Sequence, residues 1–276
     1  KSNFKFVYGD VRDYKKLNEY VQKADVIIPL AAIVGFPACE KDKQLAEEVN
    51  YNQIYDLITN TSKEQTIIFP NTNSGYGTRS SGICTEDQKL QPISHYGITK
   101  CNAEDILLQN GNAIIFRFAT VFGVSPRMRL DLLVNEFVYK ALTDKYITIF
   151  ERKAVRNYIH IRDVASVFEW MVVLRDIHRG EIFNVGLSNA NINKQQLAEM
   201  IKKYISDFAI TYSDYYEDPD KRDYIVSNEK VESTGWLPKY TLHDGIKELI
   251  MAYQIIINND TSHFRNGFPL TYGAAL

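Results

Sequence analysis

Tyr96 and Lys100 lie four residues apart in the stretch Ser94-His95-Tyr96-Gly97-Ile98-Thr99-Lys100-Cys101-Asn102-Ala103-Glu104. The stretch follows the polar, Pro-containing segment Gln88 to Pro92 and reads as the opening of a helix. Residues at that spacing are neighbours on a helix, so a phenol and an ammonium share one face. A free tyrosine keeps its proton until about pH 10 and is a poor base at neutrality. A fixed cation a few ångströms away favours the phenolate, and Lys100 is placed to be that cation. An exposed helix carrying an accidental Tyr and Lys gives the same string. Context adds a third group: Thr72-Asn73-Ser74-Gly75-Tyr76-Gly77 comes directly after the apolar run Thr66-Ile67-Ile68-Phe69, so a strand end delivers a hydroxyl.

The elements that must position these groups follow from the hydrophobic pattern. Phe4 to Asp13 reads as a strand running into a turn, and Leu17, Tyr20 and Val21 then fall at helical spacing. Ala24 to Ala32 reads as a buried strand, and Asp42 to about Thr59 as a helix carrying Leu45, Val49, Ile54, Leu57 and Ile58. Ala113 to Phe118 is another buried strand, and Lys194, Leu197, Met200 and Ile201 lie on an amphipathic helix; a last helix runs from His243 to Ile255. Alternation of this kind implies an α/β fold, a doubly wound parallel sheet with crossover helices.

The chain has 276 residues, 45% hydrophobic, enough for one large domain or one with a smaller appendage. Its net charge of -2 gives no electrostatic drive toward nucleic acid or anionic membranes. Cys39, Cys84 and Cys101 lack C-x-x-C spacing, so no disulfide framework or metal site is expected, and a reducing cytoplasm fits. No apolar run approaches the ~18 residues of a membrane span. Lys1-Ser2-Asn3-Phe4 is not a signal peptide.

A strand ending in Thr72 four residues before Tyr76-Gly77, followed by Tyr96-x-x-x-Lys100, resembles the catalytic set of the extended short-chain dehydrogenases/reductases, the nucleotide-sugar epimerase and dehydratase group. The resemblance extends from Phe4 to Ile255. It implies a Rossmann-like core over residues 1–123 and, over 124–276, a smaller C-terminal α/β substrate-binding region with segments returning to the core. It implies NAD as cofactor, with NADP left open. The family's phosphate-cradling glycine loop would lie upstream of Lys1, and none of the 14 glycines forms one. The expectation is therefore that the natural protein is longer, or that this piece binds dinucleotide poorly.

The resemblance also assigns roles. Tyr96 would be the base, Thr72 would orient the sugar hydroxyl, and Lys100 would hold the nicotinamide ribose and depress the tyrosine's pKa. In Gly9-Asp10-Val11-Arg12-Asp13 the family places the acid, Asp10, on adenine with Val11 beside it, although Asp10 is as good a turn former. Leu30, Ala31 and Ala32 would pass the cofactor's phosphates and ribose, with Pro29 where the family often has His. Asn50 would help hold the catalytic strand; a solvated polar residue fits the same position. Thr120, at a family Asn position, would face substrate, as would Asn73. Arg127 begins the sugar-nucleotide region and, with Arg129, is placed to meet phosphates. Val155 to Ala165 matches the family's Arg-Asp-h-h-His-h-x-Asp-h-Ala, so Arg156 would clamp the substrate diphosphate, His160 would be structural and Asp163 would cap the next helix. Arg222 would supply the second phosphate contact, although Asp218-Pro219-Asp220-Lys221-Arg222 also reads as a charged loop.

Family members that eliminate water carry an Asp-Glu pair after the catalytic Thr. Here those places hold Asn73 and Ser74, so 4,6-dehydration is not expected. Oxidation at C4 remains, as a net reaction or as half of a 4-epimerisation. The strings around Thr72, Arg127 and Arg222 look most like bacterial enzymes oxidising C4 of a GDP-linked heptose for capsule synthesis. A non-catalytic relative or a scaffold stays open. A homodimer is implied, because the family pairs the Asn50 and Tyr96 helices across a two-fold axis.

Overall fold

The computed structural model describes residues 3–213 and 222–256, and of residues 79–81 the backbone alone. α1 (Tyr14–Val21) starts from Asp13, whose carboxylate accepts the Lys16 N–H, and leads to β1 (Val26–Ile27). α2 (Phe36–Lys41) and α3 (Lys43–Glu47) precede a π-turn over Glu48–Asn52 and then α4 (Gln53–Thr59). β2 (Thr66–Thr72) runs into a 3-10 turn, Asn73–Tyr76, and β3 (Thr78–Cys84). α5 (His95–Asn110) is capped by the Ser94 hydroxyl, and it ends at Gly111, whose φ of 80° suits glycine. Then come β4 (Ala113–Phe118), β5 (Thr120–Phe122), α6 (Leu133–Thr143), β6 (Tyr146–Phe150), β7 (Val155–Arg156) and β8 (Tyr158–His160). The rest is α7 (Ile161–His178), β9 (Ile182–Val185), β10 (Ile192–Asn193), α8 (Lys194–Lys202), β11 (Ala209–Ser213), β12 (Asp223–Val226), α9 (Glu229–Ser233) and α10 (Leu242–Ile256).

The central sheet has the order β1-β2-β4-β9, and every pairing in it is parallel. Successive side chains on a strand face opposite sides, and here both sides are covered. Ile67, Phe69, Ala113 and Ile115 pack with Val21, Ile54, Leu57, Ala103 and Leu107 from α1, α4 and α5. Ile68, Ile114, Phe116 and Phe118 pack on the other face with Phe137, Val167, Leu197 and Leu249 from α6, α7, α8 and α10. This is the expected doubly wound α/β fold. Two-sided burial explains why Ala113–Phe118 reads as an unbroken apolar run rather than an alternating one.

Three expectations need correction. Phe4 to Asp13 is not a strand: among the described residues no strand lies alongside it to take its N–H and C=O groups, and Phe4, Phe6 and Tyr8 are exposed. Ala24 to Ala32 is not a buried strand, because only Val26 and Ile27 pair, with Thr66 and Ile67, at the edge of the sheet. Past that pairing Leu30 is 68% exposed. Asp163 does not cap its helix. The cap is His160, whose Nδ1 accepts the Arg162 N–H, while the Asp163 carboxylate accepts the backbone N–H groups of Lys239 and Tyr240. His160 is otherwise as expected, fully buried and bonded through Nε2 to Glu248.

Behind the C-terminal ends of β2 and β4 lies a buried ion pair. Arg117 Nη2 is 2.5 Å from Glu104 Oε1, and Arg117 Nε lies 3.2 Å from both carboxylate oxygens. Asn71 Nδ2 also donates to Glu104. Arg117 Nη1 donates to the Tyr76 hydroxyl, which in turn donates to Asn184 Oδ1 at 2.7 Å. One network thus joins β2, α5, β4 and β9. Removing one partner of such a pair leaves a charge buried without compensation, at a cost of about 3–5 kcal/mol. Glu104→Ala should lower stability by about that amount, measured by urea unfolding. The double change Glu104→Leu with Arg117→Met should recover most of the loss; a double variant no more stable than Glu104→Ala would contradict this.

Candidate active site

The last residue of β2 and the first turn of α5 meet: the Thr72 hydroxyl lies close enough to the Tyr96 phenol to favour its charged form. The strand end fixes one and the helix start, pinned by Ser94, fixes the other. Lys100 sits one turn further along α5, 3% exposed, with Nζ 3.8 Å from the centre of the Phe69 ring. Among the described residues no carboxylate lies within ion-pair distance of it. Thr72 and Tyr96 are thus neighbours across β2 and α5, while Lys100 follows Tyr96 by one turn with its amine on Phe69.

Their electrostatics differ from the expectation. Burial pushes the Tyr96 phenol up to about 12, opposed by the Arg222 and Arg129 cations and by the nearby Thr72 hydroxyl; the buried Cys39 thiol adds to the rise. Burial also holds the Lys100 amine down to about 7. The cations that favour the phenolate in this structure are thus two arginines, while Lys100 is directed at an aromatic face. Desolvation outweighs attraction for both groups.

Arg222 reaches the site through Ser74. Its Nη1 donates to Ser74 Oγ at 2.5 Å, Thr72 Oγ1 donates to the same oxygen at 2.9 Å, and the Ser74 N–H returns a bond to Thr72 Oγ1 at 3.1 Å. The buried Arg156 guanidinium donates to the Arg222 carbonyl, so the two expected phosphate contacts are adjacent. Arg127 is exposed. Arg129, whose charge Tyr96 feels, forks onto Asp131 at 3.0 and 2.6 Å. Thr120 is half-buried, its N–H bonded to Asn157 O at 2.9 Å. Asn73 is buried between Thr72 and Ser74. Sequence reasoning left out Ser74, because a serine after a strand carries no signal of its own.

The residues expected to meet the cofactor fall into two groups. Asn50 stands in the π-turn, a widened turn of the kind often found at functional sites. Its Nδ2 donates to Ile33 O at 3.0 Å and Thr99 Oγ1 at 3.2 Å, and its Oδ1 accepts the Ile33 N–H at 2.8 Å. It therefore ties the segment after Leu30-Ala31-Ala32 to α5, rather than holding the catalytic strand. Leu30 and Ala31 are exposed and Ala32 half-buried. Val11 is half-buried and Asp10 exposed, with both Asp10 oxygens forked by Arg12, which also reaches Glu48 and holds the Asp10 carboxyl at about 2. Asp10 is thus presented as half of an ion pair. A buried amine with no anionic partner fits a ribose hydroxyl. Among the described residues no cluster could hold a metal ion, and no helix is long and apolar enough to cross a membrane.

Comparison with known proteins adds the following. Residues 1–186 match the sequence pattern of the NAD dependent epimerase/dehydratase family. Low-salt glycan biosynthesis protein Agl12 of Haloferax volcanii is 26% identical over 272 residues, covering 91% of this chain and 82% of that protein. The dTDP-D-glucose 4,6-dehydratase of Mus musculus is 26% identical over 279 residues, covering 94% and 76%. The crystal structure of UDP-glucuronic acid 4-epimerase from Bacillus cereus, in complex with UDP-glucuronic acid and NAD, superposes with a TM-score of 0.81 at 25% identity, covering 92% and 83%.

Burial of Lys100 has a signed consequence. Its ordinary value is 10.5 and its value here about 7. Between those the unfolded chain binds a proton that the folded chain does not, so stability rises with pH across that window and the penalty is complete below it. Lys100→Met should therefore raise the Tm most at about pH 6, with the gain shrinking toward about pH 10. Melts at about pH 6, 8 and 10 check this; a gain that does not shrink with pH would refute it.

Proposed function

This chain belongs to the NAD dependent epimerase/dehydratase family, and on that premise we propose that it oxidises the C4 hydroxyl of a nucleotide-linked sugar. The observation that carries the reading is the contact of Thr72 with Tyr96, with Lys100 one turn along the same helix. Bound NAD supplies the hydride acceptor. Tyr96, as phenolate, takes the proton of the sugar hydroxyl while hydride leaves the same carbon. Thr72 holds that hydroxyl in line. Lys100 binds the nicotinamide ribose, and once ligand fills the site its charged form and the two arginines oppose the burial that keeps Tyr96 protonated. Asn50 keeps the cofactor-side segment against α5. Arg156 and Arg222 bind the diphosphate, for which a planar fork is suited; Arg127 and Thr120 stand at the rim of the substrate region.

Neither Asn73 nor Ser74 carries a carboxyl group to drive elimination, which favours oxidation over 4,6-dehydration. We assign a GDP-linked heptose as substrate and capsular or other surface polysaccharide as destination, with the enzyme working in the cytoplasm. The glycan-biosynthesis role in the name of the Haloferax relative is in keeping with that destination. A 4-epimerase is the second reading, favoured by the likeness to the Bacillus cereus epimerase. The division into a core over 1–123 and a substrate region over 124–276 belongs to the same proposal. So does a homodimer: Tyr55 on α4, Ile98 on α5 and Ile93 just before it are large apolar side chains left exposed on adjoining elements.

Two measurements test this. The full-length protein is incubated with NAD and GDP-heptose, then with other GDP-, UDP- and dTDP-sugars, while reduced-nicotinamide absorbance and product mass are recorded. A two-dalton loss with accumulating reduced cofactor is expected, and Tyr96→Phe should lower the rate at least about a hundredfold. Unchanged mass with a new stereoisomer would establish the epimerase instead; full activity in Tyr96→Phe, or no turnover of any sugar, would overturn the mechanism. Sedimentation should show a dimer, and Tyr55→Asp with Ile98→Asp should give monomers. A wild-type monomer at micromolar concentration would contradict the pairing.

A further inference from the structure

Asn73 is 1% exposed, and neither Nδ2 nor Oδ1 of its amide has a hydrogen-bond partner. Buried polar groups are nearly always paired, and leaving one unmade costs more than making one returns. A folded chain that keeps such an amide keeps it at the expense of stability. The residue opens the 3-10 turn at the C-terminal end of β2, the end at which open parallel sheets take ligands. Both of its neighbours belong to the site, since the Thr72 hydroxyl lies near the Tyr96 phenol and bonds Ser74, and Ser74 bonds Arg222.

We propose that the Asn73 amide is completed by the substrate, and that it selects a sugar with a hydroxyl on the group borne by C5, beside the carbon being oxidised. The inference rests on the function proposed above and narrows its substrate class. A primary amide presents two donors and an acceptor. A hydroxyl both donates and accepts, so it can pair with the amide without conflict. A carboxylate only accepts, so it would meet Nδ2 but set oxygen against Oδ1. A methyl group would leave the amide as it is. The cations nearby do not reverse this preference: Arg129 is already forked onto Asp131, and Arg222 is bonded to Ser74.

Asn73→Leu removes the polar atoms at nearly constant shape, so it separates the two roles of the side chain. The Tm of the ligand-free variant is compared with that of the unaltered protein. In parallel, kcat/KM is measured for GDP-mannose, GDP-rhamnose and GDP-mannuronic acid, which differ by hydroxymethyl, methyl and carboxylate. The unaltered protein should prefer GDP-mannose by about tenfold or more. Asn73→Leu should melt higher, by about 2 °C, and should lose that ranking. Asn73→Ser keeps a donor and an acceptor at shorter reach, so it should weaken the ranking without erasing it. A Leu variant less stable than the parent would show that the amide serves the fold and would overturn the inference, as would a ranking that survives the substitution or favours the carboxylate. If the unaltered protein turns over none of the nucleotide sugars, the proposed function itself fails and the inference with it.

Discussion

The arrangement of the site depends on one buried carboxylate. Glu104 lies two turns along α5 from the Tyr96 end, and it holds both Arg117 of β4 and Asn71 of β2. Asn71 in turn accepts the N–H of Thr72 at 2.8 Å. The helix that carries the phenol and the strand that carries the hydroxyl are therefore locked to each other through a charge that has no other place to go. In low dielectric such a pair holds its geometry firmly, because any slip leaves an ion without compensation. The apolar clusters on the two sheet faces give the fold its bulk, but apolar contacts are non-directional. Directional bonds set which turn of α5 faces which residue of β2.

Burial then governs the proton inventory. The same exclusion of water that makes the Glu104 pair rigid keeps Tyr96 protonated and drives Lys100 toward neutrality. Neither group carries its working charge because of its own environment alone. Cations must come close to Tyr96, and hydroxyl or anionic groups must come close to Lys100, before a phenolate and an ammonium coexist. Arg222 and Arg129 already stand on the tyrosine's side, one reaching the site through Ser74 and the other held by Asp131.

The strands of the sheet's centre were legible because both of their faces are buried, which writes an apolar run directly into Thr66–Thr72 and Ala113–Phe118. The edges were not: Phe4 to Asp13 has the composition of a strand without a neighbour to pair with, and composition does not record neighbours. The helix over Asp42–Thr59 was visible in its spacing, yet the π-turn that brings Asn50 onto Ile33 and Thr99 was not, since a single wide turn barely disturbs the period. Asp163 had the residue type and position of a cap, but tertiary packing offered it the N–H groups of Lys239 and Tyr240, and a carboxylate can serve only one set of donors at a time. Residue type likewise did not distinguish Arg127, which is exposed, from Arg129, which is felt at Tyr96.

By itself the sequence determined the α/β class, the parallel central strands and the placing of Tyr96 and Lys100 one turn apart on a helix. Those follow from local spacing and from which faces are apolar, and both are properties of the chain's own order. Only the tertiary structure decided that Lys100 would point at Phe69, that Arg222 would bond Ser74 and that Asn73 would be buried with its amide unpaired. Those outcomes depend on distances between residues far apart in the chain and on how much water remains between them, and neither quantity is encoded in residue order until the sheet and its helices have closed.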